Sequence, residues 1–218
     1  QEVLQKAIFN FSKEKVIVTG AGRTDSGVHA LEQIAHFDLK KKIPKKNLLP
    51  AINQNIANKS VTVLKINKVN KKFHARYDAK KRTYLYLIIN RQSPLALQKN
   101  KAWQIRKKLD LSAMKKGGQL LLGTHNFSTY RAASCGAKSP IKTMENILIK
   151  KNRDRITLQF TSRSFLQQQV RSMVGCLKYL GDGKWNLENF KNALYSKSRI
   201  KCAPPAPACG LYLKKISY

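Results

Sequence analysis

Ala21-Gly22-Arg23-Thr24-Asp25-Ser26-Gly27-Val28-His29-Ala30 is the stretch on which the reading of this 218-residue chain turns. It follows Val16-Ile17-Val18-Thr19, a β-branched run that predicts a strand. Two glycines, Gly22 and Gly27, frame Arg23-Thr24-Asp25. A carboxylate in a glycine-framed loop at a strand end is held in place and still reaches a substrate. The competing reading is a tight turn whose aspartate bonds its own backbone. The rest of the chain has to decide between the two.

Upstream, Val3, Leu4, Ala7, Ile8 and Phe11 recur at helical spacing and predict an amphipathic opening helix. Downstream, Ile34 to Leu39 reads as a second strand. Leu48, Leu49, Ile52 and Ile56 read as a helix with Pro44 near its start, and Val61 to Val69 as a third strand. This alternation predicts an α+β or mixed-sheet half over residues 1–72 that carries the Asp25 loop. A basic segment, Lys71-Lys72-Phe73-His74-Ala75-Arg76, leads into a second half, 73–218. That half opens on Thr83 to Ile89, apolar on both faces and therefore expected at the centre of a sheet. Asp110 is placed to cap a helix through Leu111, Met114 and Leu121. A hairpin is expected to turn near Asn152-Arg153-Asp154. A helix buries Leu166, Val170, Met173, Val174 and Leu177, with Arg171 at the border of that stripe. A last helix at Leu187, Phe190 and Leu194 precedes the turn Pro204-Pro205-Ala206-Pro207 and a terminal strand with Leu211 and Leu213.

The charge balance narrows the function. There are 43 Lys and Arg against 11 Asp and Glu, a formal charge of +32. Such an excess points to a polyanionic partner, nucleic acid before membrane. No apolar run approaches the roughly 20 residues of a membrane span. Cys135, Cys176, Cys202 and Cys209 form no Cys-x-x-Cys pair and have few histidines near them, which argues against a zinc site. Cys202 and Cys209 bracket the proline turn closely enough to meet, but free thiols are the default expectation.

Asp25 leads the candidates for chemistry. A carboxylate can attack an electrophilic carbon or abstract a proton, and a neighbouring guanidinium favours its charged form. Arg23 lies two residues away, and Arg171 is placed to project into the same cleft or to lie over apolar neighbours. Tyr84, after Lys80-Lys81-Arg82, is either a base-stacking residue or simple core. His29 and His36 are expected to be structural. The loop from His125 through Tyr130, Arg131, Lys138 and Lys142 either contacts RNA or is solvated. There is no phosphate-binding Gly-Lys-Ser/Thr loop, and an enzyme built on these residues is expected to need neither metal nor organic cofactor.

Separated segments together resemble the TruA family of tRNA pseudouridine synthases. They are Gly20-Ala-Gly-Arg-Thr-Asp-Ser-Gly-Val-His-Ala30 with Gln33-Ile-Ala-His-Phe37; Phe73-His-Ala-Arg76 with Lys81-Arg-Thr-Tyr-Leu-Tyr86; Gly123-Thr-His-Asn-Phe127 with Ser139-Pro-Ile-Lys-Thr143; Phe165-Leu-Gln-Gln-Gln-Val-Arg-Ser-Met-Val-Gly175; and Ala203-Pro-Pro-Ala-Pro-Ala-Cys-Gly-Leu-Tyr-Leu213. Their order is that of the family. Asn126, Lys142 and Gln169 depart from its usual aspartate, arginine and methionine, and none touches the inferred reacting carboxylate.

The resemblance implies a pseudouridine synthase fold: two α/β halves with mixed, mainly antiparallel sheets flanking a basic cleft. The family's opening strand has no counterpart before Gln1, so an N-terminal strand is expected to be missing. It also implies Asp25 as the catalytic aspartate, Arg171 as its basic partner, Tyr84 as the tyrosine against the target base and Arg23 as a residue that handles substrate. The implied protein is a cytoplasmic homodimer acting on uridines 38, 39 and 40 of the tRNA anticodon arm. Attack on the sugar, attack on the base and removal of a sugar proton all remain open to the carboxylate. The rival expectation is a non-catalytic basic RNA-binding protein on the same scaffold.

Overall fold

The computed structural model describes residues 1–57 and 60–218. In chain order its elements are α1 (Glu2–Ser12), β1 (Thr19–Gly20), β2 (His29–Ala30), β3 (Ala35–His36), α2 (Lys45–Gln54), β4 (Lys81–Asn90), β5 (Trp103–Ile105), α3 (Leu111–Leu120), β6 (Gly123–Asn126), β7 (Ile141–Asn152), β8 (Arg155–Ser162), α4 (Gln169–Gly181), α5 (Leu187–Tyr195) and β9 (Leu211–Ser217). The class is α+β, as expected. The chain forms two compact units, one of Gln1–Arg23 with Gln33–Ala79, the other of Thr24–Glu32 with Lys80–Tyr218. Two corrections to the expected division follow. The break falls at Ala79/Lys80 rather than at 72/73, and the Asp25 loop clusters with the second unit, not the first. The cause is β2, which pairs in parallel with β9 at the far end of the sequence, His29 opposite Tyr212 and Ala30 opposite Leu213.

The first unit has a small core. Ala7 and Ile8 from α1, Val16 and Val18, and Ile52 from α2 are buried together, with Leu4, Phe11, Phe37 and Leu39 packed around them. The expected strand at 16–19 shrinks to β1, which pairs antiparallel with β3 at Thr19–His36 and Gly20–Ala35. The alternation was legible, since Val16 and Val18 are buried and Ile17 is 79% exposed. The Val18 N–H, however, donates to the side chain of Gln5 at 3.3 Å rather than to a strand. Likewise Ile34–Leu39 is a strand only at β3. The strand expected over Val61–Val69 is not assigned as one. Asn53 takes over part of a ladder's work there: its Nδ2 donates to the Val63 carbonyl at 2.8 Å and its Oδ1 accepts the Val63 N–H at 2.9 Å. At this one residue a side chain thus stands in for a ladder partner.

The second unit is a seven-stranded sheet in the order β2-β9-β4-β8-β7-β6, with β5 pairing in parallel with one end of β4. β4 is central, with β8 and β9 antiparallel on its two sides. Side chains alternate along strands, so one face collects Tyr84, Tyr86 and Ile88 from β4 opposite Phe160, Leu158 and Ile156 of β8. On the β9 side the same face meets Leu213 opposite Tyr84 and Leu211 opposite Tyr86. The core takes in Tyr86, Ile88, Ile156, Leu158, Phe160 and Leu211, with Tyr84 partly buried against it, together with Met114 from α3, Val170, Met173, Val174 and Leu177 from α4, and Phe190 and Leu194 from α5. α3 packs against β7, α4 and α5, and the Asp110 carboxylate caps it by accepting the Ala113 N–H at 3.0 Å. The hairpin turns at Arg153, which adopts a left-handed conformation.

All four cysteines are free thiols. The neighbour of Cys202 is Cys176 at 3.6 Å, not Cys209, whose sulfur lies 3.6 Å from the Ala102 carbonyl. Tyr130 is fully buried, and its hydroxyl has no hydrogen-bond partner among the described residues. Burial also pushes its ionisation well above the usual tyrosine range. Tyr130→Phe should therefore leave stability unchanged or raise it by up to about 1 kcal/mol, because an unpaired buried hydroxyl costs more than the apolar group that replaces it. The sign of the pH effect follows from linkage. Above about pH 10 an unfolded tyrosine loses its proton while the folded one keeps it, so stability present below that pH is lost as pH rises. Urea unfolding at pH 8 and pH 10.5 should show a smaller alkaline loss for the variant than for the natural chain.

Candidate active site

The Asp25 loop is a turn, but its carboxylate is not used to make it. The Asp25 carbonyl accepts the Val28 N–H at 3.1 Å. Gly27, the third residue of that turn, has φ +79°, a conformation glycine adopts without strain. Among the described residues no backbone N–H reaches the Asp25 carboxylate; Oδ2 instead accepts from Arg171 Nη1 at 2.9 Å. The turn is there, but the aspartate side chain does not bond its own backbone as the competing reading has it; the carboxylate is held by Arg171 instead. β2 then ties the loop to β9, reinforced by the Leu31 N–H donating to the Leu213 carbonyl at 2.8 Å. His29 stacks on Tyr212 with ring centroids 4.8 Å apart, and its Nε2 is 3.0 Å from the Asn100 carbonyl. That is a structural role, as expected. His36 is structural too, its Nδ1 accepting the Ala75 N–H.

Arg171 sits in the first turn of α4 and is gripped from both ends. Its Nε donates to the Ala206 carbonyl at 2.8 Å, and its own carbonyl accepts the Ala206 N–H at 3.0 Å. The same planar guanidinium that bonds Ala206 through Nε presents Nη1 to Asp25, so the two contacts brace one another. The side chains of Arg171 and Asp25 are 15% and 27% exposed. The pair is shielded enough to be firmer than a surface ion pair, while the carboxylate keeps an open side. The reciprocal grip works because α4 lies very close to the proline turn. A Cβ on Gly175, one helical turn beyond Arg171, would lie 2.1 Å from the Pro204 carbonyl oxygen.

Tyr84 reaches the same place across the sheet. Leu213 is paired with Ala30 on one side and with Tyr84 on the other, so β2, β9 and β4 are consecutive strands. At strand spacing this puts Ala30 and Tyr84 roughly 10 Å apart. The β4–β9 register slips between Thr83 and Tyr84, leaving Lys214 unpaired in a bulge that re-aims the strand there. The Tyr84 ring packs edge-to-face on Phe165, centroids 5.1 Å apart. Burial raises the phenol's pKa, the Arg82 charge opposes that rise, and the Asp25 carboxylate adds to it. Tyr84 thus lies within electrostatic reach of Asp25, and its phenol gives up its proton less readily than an ordinary tyrosine.

Of the four residues singled out in the sequence, Asp25, Arg171 and Tyr84 come together in the second unit. Arg23 ends the first segment of the first unit and is exposed. In the loop after β6, Tyr130 is core, and Arg131 donates to the Cys135 and Ala137 carbonyls, so these two hold the loop together. No group of three or more His, Cys, Asp or Glu side chains among the described residues could hold a metal ion, and no helix among them is long and apolar enough to cross a membrane. The contact that sequence reasoning missed is the Ala206 backbone. A carbonyl has no residue-type signature, so nothing in the sequence pointed to it.

The amino-acid sequence matches a known group of proteins. A family model described as tRNA pseudouridine synthase matches residues 1–78 and 118–218. The tRNA pseudouridine synthase A of Pelagibacter ubique (strain HTCC1062) is 56% identical over 219 residues, covering all of this chain and 89% of that protein. Those of Maricaulis maris (strain MCS10) and Ehrlichia ruminantium (strain Welgevonden) are each 44% identical over 218 residues, covering all of this chain and 88% and 89% of those proteins. With a family model over most of the chain and relatives of this identity and coverage, the chain belongs to the tRNA pseudouridine synthase family.

Proposed function

We propose that this chain isomerises uridine to pseudouridine in tRNA, at positions 38, 39 and 40 of the anticodon arm, with Asp25 as the reacting carboxylate. The observation that carries this reading is the Arg171–Asp25 ion pair beside Tyr84. The reaction breaks the C1′–N1 bond, turns the uracil and joins C1′ to C5; the C5 proton leaves and N1 gains one. Nothing is oxidised or reduced. Asp25 serves through its charge, either as nucleophile towards the sugar or base or as base towards a sugar proton. Arg171 holds that charge and aims it. Tyr84 packs against the base while it turns, its neutral phenol adding no charge to the pocket. A stem uridine must leave the helix first, at a cost of roughly a few kcal/mol. Phosphate contacts from the +32 chain, Arg23 among them, offset this. We take the chain to work as a homodimer in the cytoplasm, in line with its family resemblance.

The test is to incubate an unmodified tRNA transcript with the chain and map pseudouridines by carbodiimide labelling and mass spectrometry. Labelled residues at 38, 39 or 40 are expected. Tight tRNA binding with no labelled residue anywhere would favour the binding-only alternative.

A further inference from the structure

β4 sends two tyrosines to one face, Tyr84 towards Asp25 and Tyr86 beneath the proline turn. Tyr86 is fully buried, and its hydroxyl donates to the Pro207 carbonyl at 2.7 Å. Pro207 adjoins Ala206, whose carbonyl grips Arg171 Nε and whose N–H grips the Arg171 carbonyl. The ring has a prepared seat: a Cβ on Gly210 would lie 2.6 Å from Tyr86 Cζ. Burial drives the phenol's ionisation far above the usual range, so it remains a hydrogen-bond donor at every working pH. The Pro207 carbonyl has one other donor, the Gly210 N–H at a longer 3.5 Å. The prolines of the turn carry no N–H, and within 204–206 the described residues make no backbone bond besides the Ala206–Arg171 one.

We propose that Tyr86 is a positioning residue for the reaction: by fixing the Pro207 carbonyl it sets the plane of the Ala206 carbonyl, and through it the aim of the Arg171 guanidinium at Asp25. The proposal rests on the assignment of Arg171 and Asp25 to the reaction. Tyr86 touches neither substrate nor carboxylate; its effect passes entirely through Arg171. Removing its hydroxyl should therefore slow turnover without weakening RNA binding, and should do nothing further once Arg171 can no longer make the paired contact.

The experiment is a double-mutant cycle of Tyr86→Phe and Arg171→Lys on tRNA, measured well below each variant's melting temperature. Lysine cannot bond Ala206 and Asp25 through one rigid plane. Tyr86→Phe alone should lower kcat about tenfold with KM within about twofold, in keeping with the loss of one positioning contact. In the Arg171→Lys background the same change should lower kcat less than twofold. Equal losses in both backgrounds, or a loss confined to thermal stability, would overturn the positioning role. An Arg171→Lys variant with natural kcat would instead overturn the site assignment on which the proposal rests. Should Tyr86→Phe fail to fold, Pro207→Gly loosens the same turn from its exposed side, and the same comparison against Arg171→Lys applies, a loss confined to the Arg171 background supporting the proposal and an additive loss overturning it.

Discussion

Adding one methyl group at Gly175 should cost the protein about 2–4 kcal/mol of stability and at least tenfold in turnover. A Cβ there would sit 2.1 Å from the Pro204 carbonyl oxygen and 3.2 Å from its carbon. The obstacle is backbone, so no side-chain rotation relieves it. Either α4 moves away from the proline turn or the turn moves away from α4. Both movements pull Ala206 off Arg171, because Arg171 and Gly175 lie four residues apart on the helix face that meets the turn. Gly175→Ala should thus lower the urea midpoint and, at a temperature where it is still folded, slow pseudouridine formation. A variant as stable and as active as the natural chain would mean that the close approach is not what aims Arg171.

The second large effect is at the carboxylate. Asp25→Asn keeps the shape of the side chain and an oxygen for Arg171 Nη1, but removes the charge. If the carboxylate is the reacting group, turnover should fall at least about a thousandfold. tRNA affinity should change by less than about threefold, since binding comes from cations on phosphates and one fewer negative charge does not weaken it. Filter binding and product mapping on the same preparation would show both. A parallel loss of binding and turnover would point to a loop that no longer folds.

The features that were legible in the sequence are those carried by side-chain type. Gly27 announced a turn and Asp25 a carboxylate on it. Thr83 to Ile89, apolar on both faces, announced a central strand. The stripe through Leu166 and Leu177 announced α4, with Arg171 at its border. What stayed hidden depends on partners far along the chain or on backbone atoms. The residues around Asp25 join the second unit because β2 pairs with β9, some 180 residues away, and local pattern holds no trace of that pairing. Val61–Val69 has the composition of a strand, yet Asn53 satisfies the Val63 backbone and no ladder forms. The Ala206 grip on Arg171 has no residue-type signature at all.

The most direct measurement is release of tritium from tRNA labelled at uracil C5, followed in a single turnover with enzyme in excess. That proton leaves only when C5 has been joined to the sugar. The natural chain should release the label, and Asp25→Asn, bound to the same RNA, should hold it over many hours. Release at a comparable rate from the asparagine variant would contradict the claim that the Asp25 charge drives the reaction.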